Sequence, residues 1–167
     1  MGNPAQIILI MGVAGSGKTT VGRGLADALG WPYFEADDFH SAANKAKMAA
    51  GTPLDDDDRA PWLAAIRAEI DACRAAGRSA VFTCSALKEK YRRVLMDGAP
   101  EVSLVHLSGD PATIAERVAS RPGHYMKAGM VGSQFAALEP PVGALTFDTR
   151  ALRPPEIIAA IRGQLRL

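Results

Sequence analysis

The sequence is poor in cysteine, balanced in charge and free of long apolar runs. Its 167 residues include 2 cysteines, too few for a disulfide framework or a cysteine-rich metal centre. Lys and Arg (19) nearly cancel Asp and Glu (18), so the basic footprint of a nucleic-acid-binding protein is absent. No apolar run is long enough to span a bilayer, and no charged segment precedes the first run as in a signal peptide. We expect a cytoplasmic protein with no nucleic-acid or membrane partner, folded as one domain over residues 1–167.

A glycine-rich loop dominates what the sequence does contain. Residues 8–20 read ILIMGVAGSGKTT, which is an apolar run followed by a complete G-x-x-x-x-G-K-[ST] motif. Such a loop turns successive backbone N–H groups toward phosphate oxygens, its lysine reaches the β- and γ-phosphates, and its threonine hydroxyl can ligate Mg²⁺. A glycine-rich turn in an unrelated α/β protein is the alternative. We predict nucleoside triphosphate contacts from Gly12, Val13, Ala14, Gly15, Ser16, Gly17, Lys18, Thr19 and Thr20.

Apolar runs alternate with helical patterns along the rest of the chain. This alternation around a glycine loop is typical of an α/β fold with a doubly wound parallel sheet. The predicted strands cover residues 7–11, 31–34, 79–84, 102–107 and 145–147. The predicted helices include residues 21–29, 41–50, 89–96 and 156–165.

Acidic and polar residues follow the second predicted strand. Parallel strands joined by right-handed crossovers end at one edge of the sheet, so Asp37 should lie beside the phosphate loop. There it could take the proton of a substrate hydroxyl or help to hold Mg²⁺, because the third strand ends without a Walker-B aspartate. Asp37 or Asp38 could instead cap the next helix. His40 is a hydroxyl binder or an ordinary surface group.

Four arginines are candidates for binding anions. Arg117 and Arg121 lie four residues apart, and therefore on one helix face. They border a polar segment with glycines, at about residues 121–140, that suits a lid over the triphosphate. Solvated helix arginines are the alternative for this pair. Arg59 and Arg92 follow different strands and could each grip an anionic acceptor with a guanidinium fork.

The acidic run 55–58 precedes a helical pattern that extends to about residue 76. Adjacent carboxylates at a helix start point in different directions, so a metal cage is the less favoured interpretation. We predict that Asp57 or Asp58 caps this helix.

With these motifs in view, the chain resembles the gluconate kinases, which belong with shikimate and nucleoside monophosphate kinases among the P-loop small-molecule kinases. The phosphate loop alone does not separate these families. The resemblance rests on four further stretches: Asp37 to Met48, GTPLDDDDRAPWL at 51–63, CSALK at 84–88 with Tyr91-Arg92, and Arg117 to Pro140. It therefore covers nearly the whole chain.

This resemblance implies a P-loop fold of the nucleoside and shikimate kinase type with a helical lid. It implies ATP-dependent phosphorylation of D-gluconate at its 6-hydroxyl, giving 6-phospho-D-gluconate and ADP for sugar-acid catabolism. Members of that family are often dimers, so a homodimer stays open. The resemblance implies that the loop and Arg117 bind ATP, and that Thr19 and Asp37 bind Mg²⁺. It implies catalysis by Lys18, Asp37, Arg117 and Arg121. The implied gluconate-binding residues are Asp37, His40, Lys47, Arg59 and Arg92.

The chain departs from the family pattern at Glu35-Ala36-Asp37, where Asp-Gly-Asp is usual. The side chain of Glu35 is longer than that of the usual aspartate, so a role in metal binding does not carry over to it directly. Asp37 matches the pattern and keeps its implied role.

Two other functions stay open. One is phosphorylation of a related aldonate or another small carboxylate. The other is a nucleotide-controlled switch, although the chain lacks an N-K-x-D guanine-reading run.

Overall fold

A parallel sheet lies at the centre of the protein. The computed structural model describes residues 3–120 and 130–167. The strands in these ranges are β1 (Ile7–Met11), β2 (Tyr33–Glu35), β3 (Ala80–Thr83), β4 (Val102–Ser108) and β5 (Leu145–Asp148). They are ordered β2-β3-β1-β4-β5, and each neighbouring pair is parallel. The predicted doubly wound sheet is confirmed, and its strands end at one edge.

Helices cover both faces of this sheet. In the described ranges they are α1 (Lys18–Leu29), α2 (Ala42–Ala49), α3 (Asp56–Ala75), α4 (Glu89–Met96), α5 (Pro111–Ala119), α6 (Val131–Ala137) and α7 (Pro154–Leu165). None of these helices is both long enough and apolar enough to cross a membrane.

The side chains of β1 alternate between two apolar layers. Ile7, Leu9 and Met11 pack with residues of α3 and α4 on one face. Ile8 and Ile10 pack with residues of α1 and α7 on the other face. A strand buried on both faces is apolar without interruption, as this one is. The phosphate loop therefore starts from the most deeply buried strand of the sheet.

Element boundaries differ from the sequence prediction at two places beside the site. α1 begins at Lys18 rather than Val21, because Gly17 in a left-handed conformation leads the chain directly into the helix. β2 covers Tyr33–Glu35 rather than 31–34. Pro32 has no N–H to donate to the ladder, and its carbonyl accepts from the Val81 N–H at 3.0 Å. The shift keeps Glu35 within the strand.

The cap of α3 is Asp55, so the prediction of Asp57 or Asp58 was wrong. The Asp55 carboxylate accepts from the Asp58 N–H at 2.8 Å, and the Asp58 carboxylate accepts from the Asp55 N–H at 3.0 Å. This is a capping box, in which the two ends of the first turn satisfy each other. The prediction failed because Asp58 contributes its side chain from the third helical position. No group of three or more potential metal-ligating side chains occurs within residues 3–120 or 130–167.

The second half of the predicted lid forms α6. Val131 and Phe135 pack with Ile114 and Val118 of α5 and with Val13 of the phosphate loop. The described part of the lid is thus seated on the loop through an apolar cluster. Residues 121–129, which include Arg121, lie outside the described residues.

Candidate active site

The phosphate loop joins β1 to α1 at the carboxyl edge of the sheet. A Cβ at Gly12 would lie 2.6 Å from Ser16 Oγ and 2.7 Å from the carbonyl oxygen of Leu107, so only glycine fits there. Gly17 has φ 96° and offers no side chain to cap α1. The N–H groups of the first helical turn are therefore left for an anion.

The phosphate loop, residues 12–19, and the first turn of α1 together form what we call the cradle. Lys18 and Ser16 bring polar groups to it. Lys18 Nζ donates to the carbonyl oxygens of Gly12 at 3.0 Å and Val13 at 3.1 Å. These contacts keep its ammonium group over the loop, where the lysine of such a motif meets phosphate. Ser16 Oγ is buried and has no hydrogen-bond partner among the described residues. A buried hydroxyl without a partner is unfavourable, and a bound polar ligand would relieve it.

A cavity of about 100 Å³ opens between the cradle and the ends of β2 and β3. It unites three segments that are far apart in the sequence. Its lining consists of Ala14, Gly15, Gly17, Lys18, Thr19, Thr20, Glu35, Ala36, Asp37, Thr83, Cys84 and Ser85. The structure thus brings Lys18, Thr19 and Asp37 around one space.

Glu35 is the residue of this cavity whose role the sequence left in doubt. The Thr19 hydroxyl donates to its carboxylate, with Oγ1 at 3.0 Å and 3.2 Å from the two oxygens. The Tyr33 hydroxyl donates to the same carboxylate and lies 2.9 Å from Thr83 Oγ1. Burial, together with the hydrogen bond to Glu35, raises the pKa of Tyr33 to about 12. Tyr33 and Glu35 share a face because alternate residues of a strand do so, but the strand predicted from the sequence ended at residue 34 and left Glu35 out.

Asp37 lies on a short 3-10 helix, Ala36–Phe39, that follows β2. Its carboxylate is exposed and lines the cavity. The alternative role as a helix cap is taken by Ser41, whose hydroxyl accepts from the Asn44 N–H at 3.1 Å. Asp37 is therefore left with its side chain at the cavity wall.

The oxygen groups beside the cradle suit a small, hard cation. The Thr19 hydroxyl and the Glu35 carboxylate already lie within hydrogen-bond distance of each other, and Asp37 lines the same cavity. Mg²⁺ takes oxygen ligands and keeps several waters, so it does not need a complete protein cage. These residues fit the Mg²⁺ ion of a bound nucleotide.

A second cavity of about 240 Å³ lies on the other side of the loop. The Arg117 guanidinium donates there to Thr149 Oγ1 and to the Thr149 carbonyl oxygen, both at 3.0 Å. Arg117 does not line the first cavity. The lining residues are Gly15, Ser16, Gly17, Thr20, Val21, Arg117, Thr149, Leu152, Pro154 and Ile157. We expected Arg117 to act from the lid. In the structure its guanidinium is held by Thr149, and the residue lines this second cavity.

Helix α6 contacts the cradle directly through Gln134. The Ala14 N–H donates to Gln134 Oε1 at 3.2 Å. Ala14 lines the first cavity, so the described part of the lid reaches the loop at the cavity wall.

Three of the residues predicted to bind the acceptor surround the start of α3. We call His40, Lys47 and Arg59 the α2–α3 wall. Lys47 Nζ lies 2.8 Å from the Asp58 carboxylate. Arg59 lies 3.8 Å from the Asp56 carboxylate, and its guanidinium donates to the Tyr91 hydroxyl at 3.3 Å. The charges of the wall are therefore already paired with acidic or hydroxyl groups.

His40 is the buried member of this wall. Its ring stacks on Trp62, with centroids 4.2 Å apart and an interplanar angle of 11°. Asn44 Nδ2 lies 3.3 Å from His40 Nδ1 and donates to the Asp58 carbonyl oxygen at 2.9 Å. Burial lowers the pKa of His40, while nearby Asp37 opposes part of that shift. His40 is thus held as a neutral ring.

Arg92 lies on α4, which follows β3, and its side chain is buried. Its side chain is only 4% exposed, and one nitrogen donates to the carbonyl oxygens of Ala86 and Leu87 at 2.8 Å and 3.0 Å. The other nitrogen donates to the Glu139 carbonyl oxygen at 2.8 Å. The guanidinium is therefore a buried clamp on carbonyl groups of the segments that follow β3 and α6. An acceptor contact would require its guanidinium to leave these groups.

The parallel sheet and the glycine-rich loop after its central strand define the class of protein as a P-loop nucleotide-binding protein. A family model described as an AAA domain matches residues 7–141. The chain is 39% identical to a probable gluconokinase of Rattus norvegicus, over 96% of this chain and 97% of that protein. The chain therefore belongs to the gluconokinase family.

Solved structures agree with this assignment. A gluconokinase from Sinorhizobium meliloti 1021 superposes with a TM-score of 0.77 at 37% identity, covering 98% of this chain and 96% of that chain. A sugar kinase from Janibacter sp. HTCC2649 superposes with a TM-score of 0.90 at 42% identity, covering 98% and 95%. The fold predicted from the sequence, a P-loop kinase fold, is confirmed.

Proposed function

We propose that this kinase transfers the γ-phosphoryl group of ATP to the 6-hydroxyl of D-gluconate, giving 6-phospho-D-gluconate and ADP for sugar-acid catabolism. The observation that carries the proposal is the first cavity. It holds a phosphate cradle and an exposed carboxylate, Asp37, in a chain of the gluconokinase family. The site residues below are part of the proposal.

The cradle binds and orients the triphosphate. Backbone N–H groups of the loop and of the first turn of α1 surround the phosphates, and Lys18 adds positive charge on the transferring group. To do so, its ammonium exchanges the Gly12 and Val13 carbonyl oxygens for phosphate oxygens. Ser16 Oγ is the buried polar group available at the back of the loop.

Thr19 and Glu35 would hold the Mg²⁺ ion of the nucleotide, and Asp37 lines the same cavity. When bound, this ion would neutralise charge that develops on the phosphate oxygens. Thr19 Oγ1 and the Glu35 carboxylate lie 3.0 Å apart, so both residues could supply oxygen ligands to one ion.

Asp37 accepts the proton of the attacking 6-hydroxyl. It stands at the cavity wall on the segment after β2, opposite the cradle. A general base must reach the proton that it removes, and an exposed carboxylate at a strand end can do so. The acceptor's hydroxyl then lies between Asp37 and the γ-phosphate.

The α2–α3 wall binds the acceptor. Arg59 and Lys47 supply positive charge for the gluconate carboxylate, and His40 offers a neutral ring nitrogen to a hydroxyl. Their present partners, Asp56 and Asp58, are side chains at the start of α3, so binding proceeds by exchange of one anion for another. Arg92 stabilises the neighbouring loop and does not contact the acceptor in this scheme.

The second cavity receives the adenosine part of ATP. Arg117 lines it and is held by two hydrogen bonds to Thr149. A guanidinium fixed in this way stacks well on a planar base. Residues 121–140 form the lid of a single P-loop kinase domain, and Arg121 acts from that lid.

A coupled ADP-release assay tests the function. Purified protein with ATP and Mg²⁺ is given gluconate, other aldonates, shikimate, AMP or no acceptor. We expect a rate with gluconate at least tenfold above the others, because the chain belongs to the gluconokinase family and the wall carries charges for a carboxylate. Saturation by another aldonate would move the proposal to that acid. Equal slow release in every well would contradict a kinase of this kind and favour a nucleotide switch.

A further inference from the structure

Tyr33 lies behind the Glu35 carboxylate, on the same face of β2. Its hydroxyl donates to Glu35 and meets Thr83 Oγ1 of the adjacent strand at 2.9 Å. Glu35 in turn accepts from Thr19 at the start of α1. The hydrogen bonds therefore run in a chain from β3 through β2 to the phosphate loop.

The ring of Tyr33 is fixed by the helix that packs on it. A Cβ at Gly22 of α1 would lie 2.8 Å from Tyr33 Cε2 and 2.6 Å from Thr83 Cγ2. Glycine inside a helix normally weakens it, and here it makes room for this pair. The guanidinium carbon of Arg23 lies 5.4 Å from the centre of the Tyr33 ring. These contacts leave the hydroxyl little freedom except toward Glu35 and Thr83.

A glutamate at this position needs such a restraint. Its side chain has one more rotatable bond than aspartate, so a free carboxylate would sample positions away from Thr19. The Tyr33 hydroxyl donates to Glu35 Oε2, the oxygen that also lies 3.0 Å from Thr19 Oγ1. The carboxylate is thereby held by two hydroxyls, in a residue that lines the cavity.

We propose that Tyr33 is a positioning residue: its hydroxyl, itself anchored by Thr83, holds Glu35 against Thr19 and so orders the oxygen ligands for the Mg²⁺ ion of the nucleotide. The proposal rests on the function proposed above, which assigns Thr19 and Glu35 to that ion. It adds a residue that does not touch nucleotide, acceptor or metal.

The test is the Mg²⁺ dependence of nucleotide binding by Tyr33→Phe, without any acceptor. The variant keeps the ring, the contact with Gly22 and the contact with Arg23, and it loses only the hydroxyl. Binding of a fluorescent ATP analogue is titrated in EDTA and at rising Mg²⁺. We expect unchanged affinity in EDTA and a Mg²⁺ midpoint raised about fivefold to tenfold, the equivalent of one lost hydrogen bond of ordinary strength. An unchanged midpoint would overturn the proposal.

Two further variants make the result specific. Thr83→Val removes the anchor and should shift the midpoint in the same direction by a smaller factor. Tyr91→Phe is the matched control, because it also removes a hydroxyl that donates to a carboxylate, Asp56, outside both nucleotide cavities. An equal shift in Tyr91→Phe would show a general effect of the substitution and overturn the positioning role.

Glu35→Gln distinguishes an error in the role of Tyr33 from an error in the assignment of Glu35 to the ion, on which that role rests. If Glu35→Gln raises the midpoint and Tyr33→Phe does not, the positioning role of Tyr33 is wrong and the assignment of Glu35 to the ion stands. If neither variant raises it, both assignments fall, while gluconate-dependent ADP release still decides the reaction. Binding of Mn²⁺ followed by electron paramagnetic resonance gives a second readout that does not depend on turnover.

Discussion

The phosphate cradle and the α2–α3 wall serve the same proposed reaction, but the cradle consists mainly of backbone groups and the wall of side chains. The cradle is made of backbone groups fixed by glycines, and its shape follows from the chain's course between β1 and α1. The wall is made of side chains that are already paired, Lys47 with Asp58 and Arg59 with Asp56. The comparison teaches that the backbone shape of the cradle is fixed by the fold, whereas the side chains of the wall would have to exchange their acidic partners to bind the proposed acceptor.

The largest effect should come from removing the one side-chain charge of the cradle. Lys18→Ala should lower kcat/KM by roughly 10³-fold, since it removes positive charge from the transferring phosphoryl group. Steady-state kinetics with varied ATP measures this. Lys45→Ala, an exposed lysine of α2, serves as the control. A loss in Lys18→Ala confined to the acceptor KM would break the division between cradle and wall.

Asp37 should show the next largest effect, because it stands where the two regions meet. Asp37→Asn should keep ATP binding and lower kcat by ~10²-fold or more through loss of the proton acceptor. Nucleotide binding and single-turnover transfer are measured on the same preparation. Asp38→Asn, the exposed neighbour that does not line the cavity, should behave like the wild type. Similar losses in both variants would place the base elsewhere.

Arg92→Lys tests whether Arg92 binds the acceptor or stabilises the fold. An ammonium cannot donate to three carbonyl groups in the arrangement that the guanidinium holds, so the free energy of unfolding should fall by about 2 kcal/mol. For a chain of this size that lowers Tm by roughly 4–8 °C. Thermal unfolding measures it, and Arg93→Lys, whose side chain is 67% exposed, is the control. An unchanged Tm with a raised gluconate KM would restore the role predicted from the sequence.

Arg59→Lys should have a smaller effect, confined to the acceptor. The ammonium keeps the charge and loses the fork, so the KM for gluconate should rise about tenfold while the KM for ATP stays constant. Kinetics with each substrate varied in turn separates the two. A normal gluconate KM would exclude Arg59 from the acceptor site and leave the wall without its strongest anion binder.

The smallest effect concerns pH. Burial lowers the pKa of His40, so the unfolded chain binds more protons below its ordinary pKa of 6.5. The free energy of unfolding should therefore fall as pH falls through 6.5. His40→Phe keeps a flat ring against Trp62 and should reduce the loss between pH 7 and pH 5. Urea unfolding at both values measures it, and His106, whose pKa burial also lowers, leaves a residual slope. Equal slopes would mean that His40 is not held neutral.

The difference between cradle and wall also explains what the sequence could predict. The motif at residues 12–19 fixes a backbone shape, and its spacing carries that geometry, so the fold and the position of the loop after the central strand were predictable. Asp37 was placed correctly at the strand end, because parallel strands end together. Its role stays a prediction.

The remainder depended on side-chain partners that no spacing reveals. Arg92 could be predicted as a cation near the site, but the carbonyl groups that it clamps come from two distant segments. The place of Glu35 depends on the hydroxyl of Tyr33, which in turn contacts Thr83 of the adjacent strand. The Asp55 cap was missed because four identical residues give no preference for one of them.

The most direct test of the account is the chemical identity of the product. Wild-type protein, ATP, Mg²⁺ and D-gluconate are incubated to completion and observed by ³¹P NMR with proton coupling. We predict one new phosphomonoester whose phosphorus couples to the two protons of the C6 methylene group. Inorganic phosphate alone, or a phosphorus coupled to a single CH proton, would contradict transfer to the 6-hydroxyl by a cradle and a wall acting together.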